Sequence, residues 1–208
     1  MTLPTKDALS NFVHVVQDHG KTKTLFLLHG TGGDEHDLIP LVAPLKDKFN
    51  FVGLRGNIAE SGMPRFFARK AMGVFDQQSI ETETNKLAAF LATFHQDRAL
   101  EVDKAVFVGF SNGANIILAT LFRHPQVIQN AAVLHAMLPF EPPDVDLGGR
   151  RVLVTHGLSD NMIPPGEDER VAAALKLRGA QVQVFAHGGG HQITAEEQAA
   201  LFDFLNLV

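Results

Sequence analysis

The stretch Ala105-Val106-Phe107-Val108-Gly109-Phe110-Ser111-Asn112-Gly113 decides the fold, together with the residues that follow it to Arg123. Its first four residues form a short apolar run of the kind found in a strand buried on both faces. Asn112 to Arg123 has helical spacing. Between the two sits G-x-S-x-G, at Gly109, Ser111 and Gly113. A serine on a sharp strand-to-helix turn is held with Oγ exposed at the carboxyl edge of a sheet, and the flanking glycines relieve the crowding. Taken alone, the pentapeptide reads equally well as a helix N-cap between two packing glycines. Its position between strand and helix favours a nucleophile.

Outward from this stretch the same alternation repeats. Six more apolar runs, each bounded by turn residues and free of internal proline, lie at Phe12 to Val16, Thr24 to Leu28, Asn50 to Leu54, Ala131 to His135, Val152 to Thr155 and Gln181 to Phe185. Helical spacing appears at Asp34 to Lys46, Ser79 to Arg98, Glu167 to Arg178 and Ala195 to Asn206. Gly179 supplies a C-terminal stop, and Thr194 with Glu197 has the spacing of a capping box. Strands alternating with helices predict an α/β protein: a mostly parallel sheet of about seven strands with helices on both faces. No repeat or linker divides the chain, so residues 1–208 read as one domain. Gly56 to Asp76 has no clean period, and irregular stretches of that length inside a domain tend to be functional.

Composition narrows the chemistry. With 208 residues, 45% of them hydrophobic, the chain is long enough to bury roughly 70% of its unfolded surface without metal or disulfide staples. It contains no Cys, Tyr or Trp, which removes thiol nucleophiles, disulfides, Cys-ligated metal sites, phenolic acid-bases and indole stacking. A net charge of −5, with 18 basic residues scattered rather than striped, argues against nucleic acid as a partner. The N-terminal residues lack the apolar core of a signal peptide, and no apolar segment approaches the ~18 residues a membrane helix needs. The expectation is a soluble, cytoplasmic protein with no membrane partner.

A second glycine-rich turn, Leu28-His29-Gly30-Thr31-Gly32-Gly33-Asp34, also follows a strand. Beside the serine turn, the backbone amides of Thr31 and Asn112 would converge on one oxygen as an oxyanion hole. A dinucleotide loop needs a third glycine where Glu35 stands, and a P-loop needs a leading glycine where Val15 stands, so both fail. A serine nucleophile on this turn takes its acid and then its histidine later in the chain. Asp160 sits in the loop Gly157-Leu158-Ser159-Asp160-Asn161 after a strand, and His191 follows Gly188-Gly189-Gly190 after the last strand. His187 is the nearest rival base. It and His191 stand four apart, but three intervening glycines argue against the helix that would align them on a metal. No metal and no organic cofactor is expected.

The motifs HGTGG, GFSNG, THGLSDNMIP and GGGHQIT, in that order across nearly the whole chain, resemble the phospholipase/carboxylesterase branch of the α/β-hydrolase fold. Leu54-Arg55-Gly56 and Gly62-Met63-Pro64-Arg65-Phe66-Phe67 are similar to signatures of bacterial hydroquinone-linked carboxylesterases. The resemblance implies a serine esterase with Ser111 as nucleophile, Asp160 as acid, His191 as base and the Thr31 and Asn112 amides as oxyanion donors. Asn112 departs from the Gln usual in acyl-protein thioesterases, and the interval from His135 to Arg150 is too short for a large cap domain. Pocket walls are expected from Met63, Arg65, Phe66, Phe67, Met72 and Phe75, with Arg69 and Lys70 nearby, and from Met137 and Leu138; these aromatics read equally well as core. A rim of Phe66 and Phe67 would be compatible with a homodimer. The expected substrate is a small-molecule ester. An acyl-thioesterase or lysophospholipase with the same triad, or a hydrolase-fold binding protein with an idle one, are the other readings.

Overall fold

Residues 6–71 and 73–208 are described by the computed structural model of the chain; Met72 lies outside them. All seven predicted strands form. They are β1 (His14–Gln17), β2 (Lys23–Leu28), β3 (Phe49–Leu54), β8 (Ala105–Phe110), β9 (Asn130–Leu134), β10 (Arg151–Gly157) and β11 (Gln181–His187), and they make one sheet in the order β1-β3-β2-β8-β9-β10-β11. β1 runs antiparallel to β3, and every other pair is parallel.

The near-continuous apolar runs follow from having both faces covered. Successive side chains of a strand point to opposite faces. Phe26, Val52, Phe107 and Val154 face one side with α2 (Gln77–Asp97), α3 (Asn112–Arg123) and α4 (Glu167–Leu177). Leu25, Phe51, Val106 and Leu153 face the other, against α1 (Ile39–Val42) and α5 (Ala195–Leu207). Each fully buried Phe or Leu in these layers contributes about 1.5–3 kcal/mol relative to exposure.

Two expectations need correction. The window Asp34 to Lys46 yields only the single turn α1 and a short 3-10 turn at Ala43–Leu45. Pro40 and Pro44 explain this, since each lacks an amide proton and crowds the preceding turn, so apolar spacing there cannot extend into a long helix. The irregular stretch after Gly56 holds two small antiparallel hairpins, β4 (Ile58–Glu60) with β5 (Met63–Arg65) and β6 (Arg69–Ala71) with β7 (Val74–Phe75). Strands of two or three residues are too short for a period to register. Between β9 and β10 no helix or further sheet is built, so no large cap covers the carboxyl edge among the described residues.

The register brings the chemistry to one edge. Leu28 lies opposite Gly109, Phe110 opposite Leu134, Leu134 opposite Thr155, and Gly157 opposite His187, so five strands end nearly level. β3 and β8 flank β2 on opposite sides. The loops after β2 and β8 therefore leave at a point where strand order reverses, the usual place for a ligand crevice in such sheets.

The turn at Ser111 is tight. Its backbone sits at φ 52, ψ −113, a left-handed position unusual for a residue with a side chain. A Cβ on Gly113 would lie 2.0 Å from the Leu28 carbonyl oxygen and 2.6 Å from that of His29. These are backbone atoms at the carboxyl end of β2 and just beyond it, and cannot swing aside. Gly113→Ala is expected to cost about 3 kcal/mol or more, a fall in Tm of roughly 6–12 °C. Thermal melts of the purified variant check this; a Tm within about 2 °C of the parent would show that the close approach is not needed.

Candidate active site

Three residues far apart in sequence meet at this edge. His191 Nε2 lies 3.0 Å from Ser111 Oγ, and its Nδ1 lies 2.7 Å from Asp160 Oδ2. Ser111 is fixed by its amide, which donates to the Leu134 carbonyl at 2.8 Å, and by α3 beginning at the next residue. Asp160 closes its own loop, with Oδ1 accepting the amides of Met162 at 2.8 Å and Ile163 at 3.3 Å, which leaves Oδ2 to face the histidine. The loops carrying Asp160 and His191 are tied backbone to backbone: Leu158 N–H donates to His187 O and Ser159 N–H to Gly189 O. A Cβ on Gly157 would come within 2.4 Å of the Gly189 and Gly190 carbonyls, so that glycine lets the two loops touch.

The proposed oxyanion donors flank the same point. Thr31 and Asn112 both line the cleft with Ser111 and His191. Asn112 is the first residue of α3, where helix geometry leaves amides without intrahelical partners. The Asn112 side chain does separate work: Oδ1 accepts the Phe66 amide at 2.6 Å, pinning the hairpin segment over the site, and Nδ2 is buried with no partner. His29 also holds that segment, because its Nε2 accepts the Gly56 amide at 3.0 Å. Burial pushes the His29 imidazole below its ordinary range, which suits an acceptor.

The expected pocket residues divide. Arg65, Met137 and Phe75 line the cleft, joined by Asn115, Met162 and Ile163, which sequence reasoning missed. Phe66 and Phe67 do not; both are fully buried in the core that contains α2 and α3. The aromatic rim that made a homodimer compatible with the sequence is therefore absent at those residues. Met63 projects from the β4-β5 hairpin, 42% exposed, and Leu138 packs on the core while its amide donates to Glu167. Apolar side chains in a short loop turn inward whenever core is within reach, and no period marks which will do so. Arg65 is nearly buried; its Nη1 donates to Thr31 Oγ1, and its guanidinium shares the Glu60 carboxylate with Arg69. A larger cavity, about 480 Å³, lies beside the starts of β2 and β3 near Thr24 and Asn50, at the opposite edge from these groups.

The most consequential group invisible to sequence reasoning lies beneath Asp160. His135, fully buried at the end of β9, places Nδ1 2.7 Å from the same Oδ2 that receives His191. Its Nε2 lies 3.4 Å from Glu197 Oε2, and His187 Nε2 is 3.3 Å from that oxygen. Thr155 donates its hydroxyl to Glu197 Oε1. Glu197 thus departs from the capping-box expectation: Thr194 Oγ1 accepts the Glu197 amide at 3.2 Å, but the carboxylate turns into the core instead of back to Thr194. Burial opposes the charge on His135, but the hydrogen bonds it donates to Glu197 and Asp160, with their negative charges, outweigh it and raise its pKa above the ordinary value. Burial likewise opposes ionisation of Asp160 and Glu197, and the histidine bonds, with those from the Met162 amide and Thr155, hold both below the usual carboxylate range.

His135, His187 and Glu197 bring one possible ligand atom each to a common point. The second nitrogen of His187 accepts the Gly189 amide at 3.1 Å, whereas a metal-bound imidazole almost always donates from its other nitrogen. The donor set fits hydrogen bonding better than coordination.

Against known proteins, the phospholipase/carboxylesterase family model matches residues 10–208. The chain belongs to that family. A hydrolase of Bacillus subtilis (strain 168), MhqD, is 35% identical over 185 residues, 88% of this chain and 92% of its own. The solved carboxylesterase of Bacillus cereus superposes with a TM-score of 0.88 at 33% identity, covering 95% of each chain. That of Mesorhizobium loti gives 0.89 at 33% identity, over 94% of this chain and 95% of its own. The architecture is the α/β-hydrolase fold, the activity class is carboxylesterase-type hydrolysis, and no helix among the described residues is long and apolar enough to cross a membrane.

The buried charges couple stability to pH. Asp160 and Glu197, with depressed folded values, contribute stability above the carboxylate range that is lost as the pH falls through those values. His135, with a raised value, contributes stability fully present below about pH 6.5 and lost as the pH rises through its folded value. Urea midpoints are expected to be highest between these limits, and Glu197→Gln should flatten both flanks. A variant curve running parallel to the parent from about pH 4 to 9 would contradict this ionisation pattern.

Proposed function

We propose that the chain is a serine carboxylesterase working through an acyl-enzyme, with Ser111 as nucleophile, His191 as base and Asp160 as the acid that orients it. The observation that carries this reading is the unbroken line of contacts from Ser111 Oγ through both ring nitrogens of His191 to Asp160 Oδ2. Asp160 accepts the Nδ1 proton, leaving Nε2 unprotonated and facing the hydroxyl. Oγ attacks the ester carbonyl as His191 takes its proton, and the Thr31 and Asn112 amides receive the oxyanion. The C–O bond to the leaving group then breaks, and the alcohol departs with the proton from His191. Water repeats the sequence on the acyl-Ser111 ester, releasing the acid and restoring the serine. His191 carries every proton transfer, and the two amides stabilise the oxyanion by hydrogen bonding alone.

The substrate is a small ester. The space directly beside Ser111 is only about 50 Å³, and it opens past Gly73, Met137, Met162 and Ile163 into a shallow cavity of about 310 Å³, so a short acyl group is the one that fits against the serine itself. Arg65 and Arg69 sharing one Glu60 carboxylate leave positive charge on one wall, and Met137, Met162 and Phe75 give an apolar one. Ser111→Ala should lower kcat/KM for p-nitrophenyl acetate by about 10³-fold or more, with an unchanged Tm, and should abolish fluorophosphonate labelling. Retained labelling or turnover would remove Ser111 from this role. A panel of short esters, long-chain esters and acyl-thioesters should show the short oxygen esters fastest; faster thioester or long-chain turnover would move the reading to a thioesterase or lysophospholipase.

A further inference from the structure

We propose that His135 is a positioning residue, a buried imidazolium at neutral pH that bridges Asp160 and Glu197 and whose charge acts on His191 through the carboxylate they share. The inference rests on the reading of Ser111, His191 and Asp160 given above, and goes beyond it by adding a residue that does not touch substrate.

Proton accounting leads there. His187 Nδ1 accepts the Gly189 amide, so a neutral His187 carries its one ring proton on Nε2, 3.3 Å from both Glu197 Oε2 and His135 Nε2, and of the two the carboxylate is the stronger acceptor. His135 Nδ1 must carry a proton to donate to Asp160. Asp160 and Glu197 both have side chains almost wholly shielded from water, and among the described residues no lysine or arginine pairs with either. Two buried carboxylates without a cation would be prohibitively costly, whereas one imidazolium between them meets both. A second proton on His135 Nε2, directed at Glu197 Oε2, completes that pairing. The raised titration of His135 agrees with this geometry. The groups facing the ring are Asp160, Glu197, His187, His191 and the edge of Phe110.

The consequence for catalysis is electrostatic. In a simple triad the carboxylate acts on the catalytic imidazole alone, and favours its charged form. Here Asp160 Oδ2 is shared between two imidazoles whose rings are 5.1 Å apart, and one of them is already positive. Part of the carboxylate's field is spent on His135, and the His135 charge itself opposes a proton on His191. A proton arriving on His191 therefore meets a neighbouring positive charge that a bare Ser-His-Asp arrangement lacks. Two short hydrogen bonds to one oxygen also fix the carboxylate's orientation.

His135 has φ 53, a conformation that asparagine tolerates better than most residues, and an asparagine amide can still donate to Asp160 from near the Nδ1 position. His135→Asn thus keeps the hydrogen bond and deletes the charge. Glu197→Gln reaches the same end from the far side: its amide can donate to His135 Nε2 and leave that ring neutral. Both variants should shift the acid limb of the kcat/KM profile for p-nitrophenyl acetate upward by about one pH unit, which makes them roughly tenfold slower below the limb and close to the parent on the plateau. The double variant should shift little further, because each change abolishes the same charge, the one on His135. In the parent, nitrogen-15 spectra of the ring should show both His135 nitrogens protonated at about pH 8, where free imidazole is neutral. If His135 only fills space, the variants lose Tm or rate with the acid limb unmoved and the ring is singly protonated; either result overturns the proposal. Should His135→Asn not fold, Glu197→Gln and the parent's spectrum decide it. Failure of the underlying triad looks different: the parent would then hydrolyse no ester, or Ser111→Ala would be as active as the parent.

Discussion

The close approach of α3 to the end of β2 is the constraint on which the site depends. Gly113 sits against the carbonyls of Leu28 and His29, with no room for a Cβ between them. That contact puts the amino end of α3 beside the glycine turn carrying Thr31, and it forces the chain through the left-handed conformation at Ser111. The strain belongs to a position that the sheet holds from both sides, since Ser111 N–H is bound by Leu134 and Gly109 pairs with Leu28. With the turn fixed, the carboxyl ends of β9, β10 and β11 need only end level with it for their loops to meet over the serine. The parallel register achieves this.

Electrostatics then separates this site from a bare triad. A single carboxylate oxygen, Asp160 Oδ2, receives two imidazole N–H groups, and a second carboxylate, Glu197, lies behind the inner one. Buried charges of this kind are costly unless paired and hydrogen-bonded, and here each oxygen has a partner. Asp160 Oδ1 is taken by the Met162 and Ile163 amides and Glu197 Oε1 by Thr155. The result is a polar column through an otherwise apolar layer, running from the helix face of α5 to the catalytic edge.

The pocket was the least legible part. Phe66 and Phe67 read as pocket aromatics because they share the stretch Gly62 to Phe67 with Met63 and Arg65, but both turn into the core, and Arg65 remains at the cleft. Met162 and Ile163 went unremarked as pocket residues although they adjoin the acid loop, because nothing in a short loop's sequence says which way its side chains point. Glu197 carried the spacing of a cap residue, and its backbone does take part in the cap. Only its side chain's direction reveals a second role.

What the sequence determined by itself was the alternation of strand and helix and the strand-turn-helix at Ser111; the order Ser111, Asp160, His191 was legible there as an expectation. These are local signals: a period, a glycine spacing and a position after a strand are all written within a few residues. Tertiary structure alone decided that His135, silent at the end of a strand, should lie between Asp160 and Glu197, which are 37 residues apart in the chain. Such a cluster exists only once β9, β10 and α5 are packed together. Its charge arises from the surroundings that packing creates, where two buried carboxylates face one imidazole.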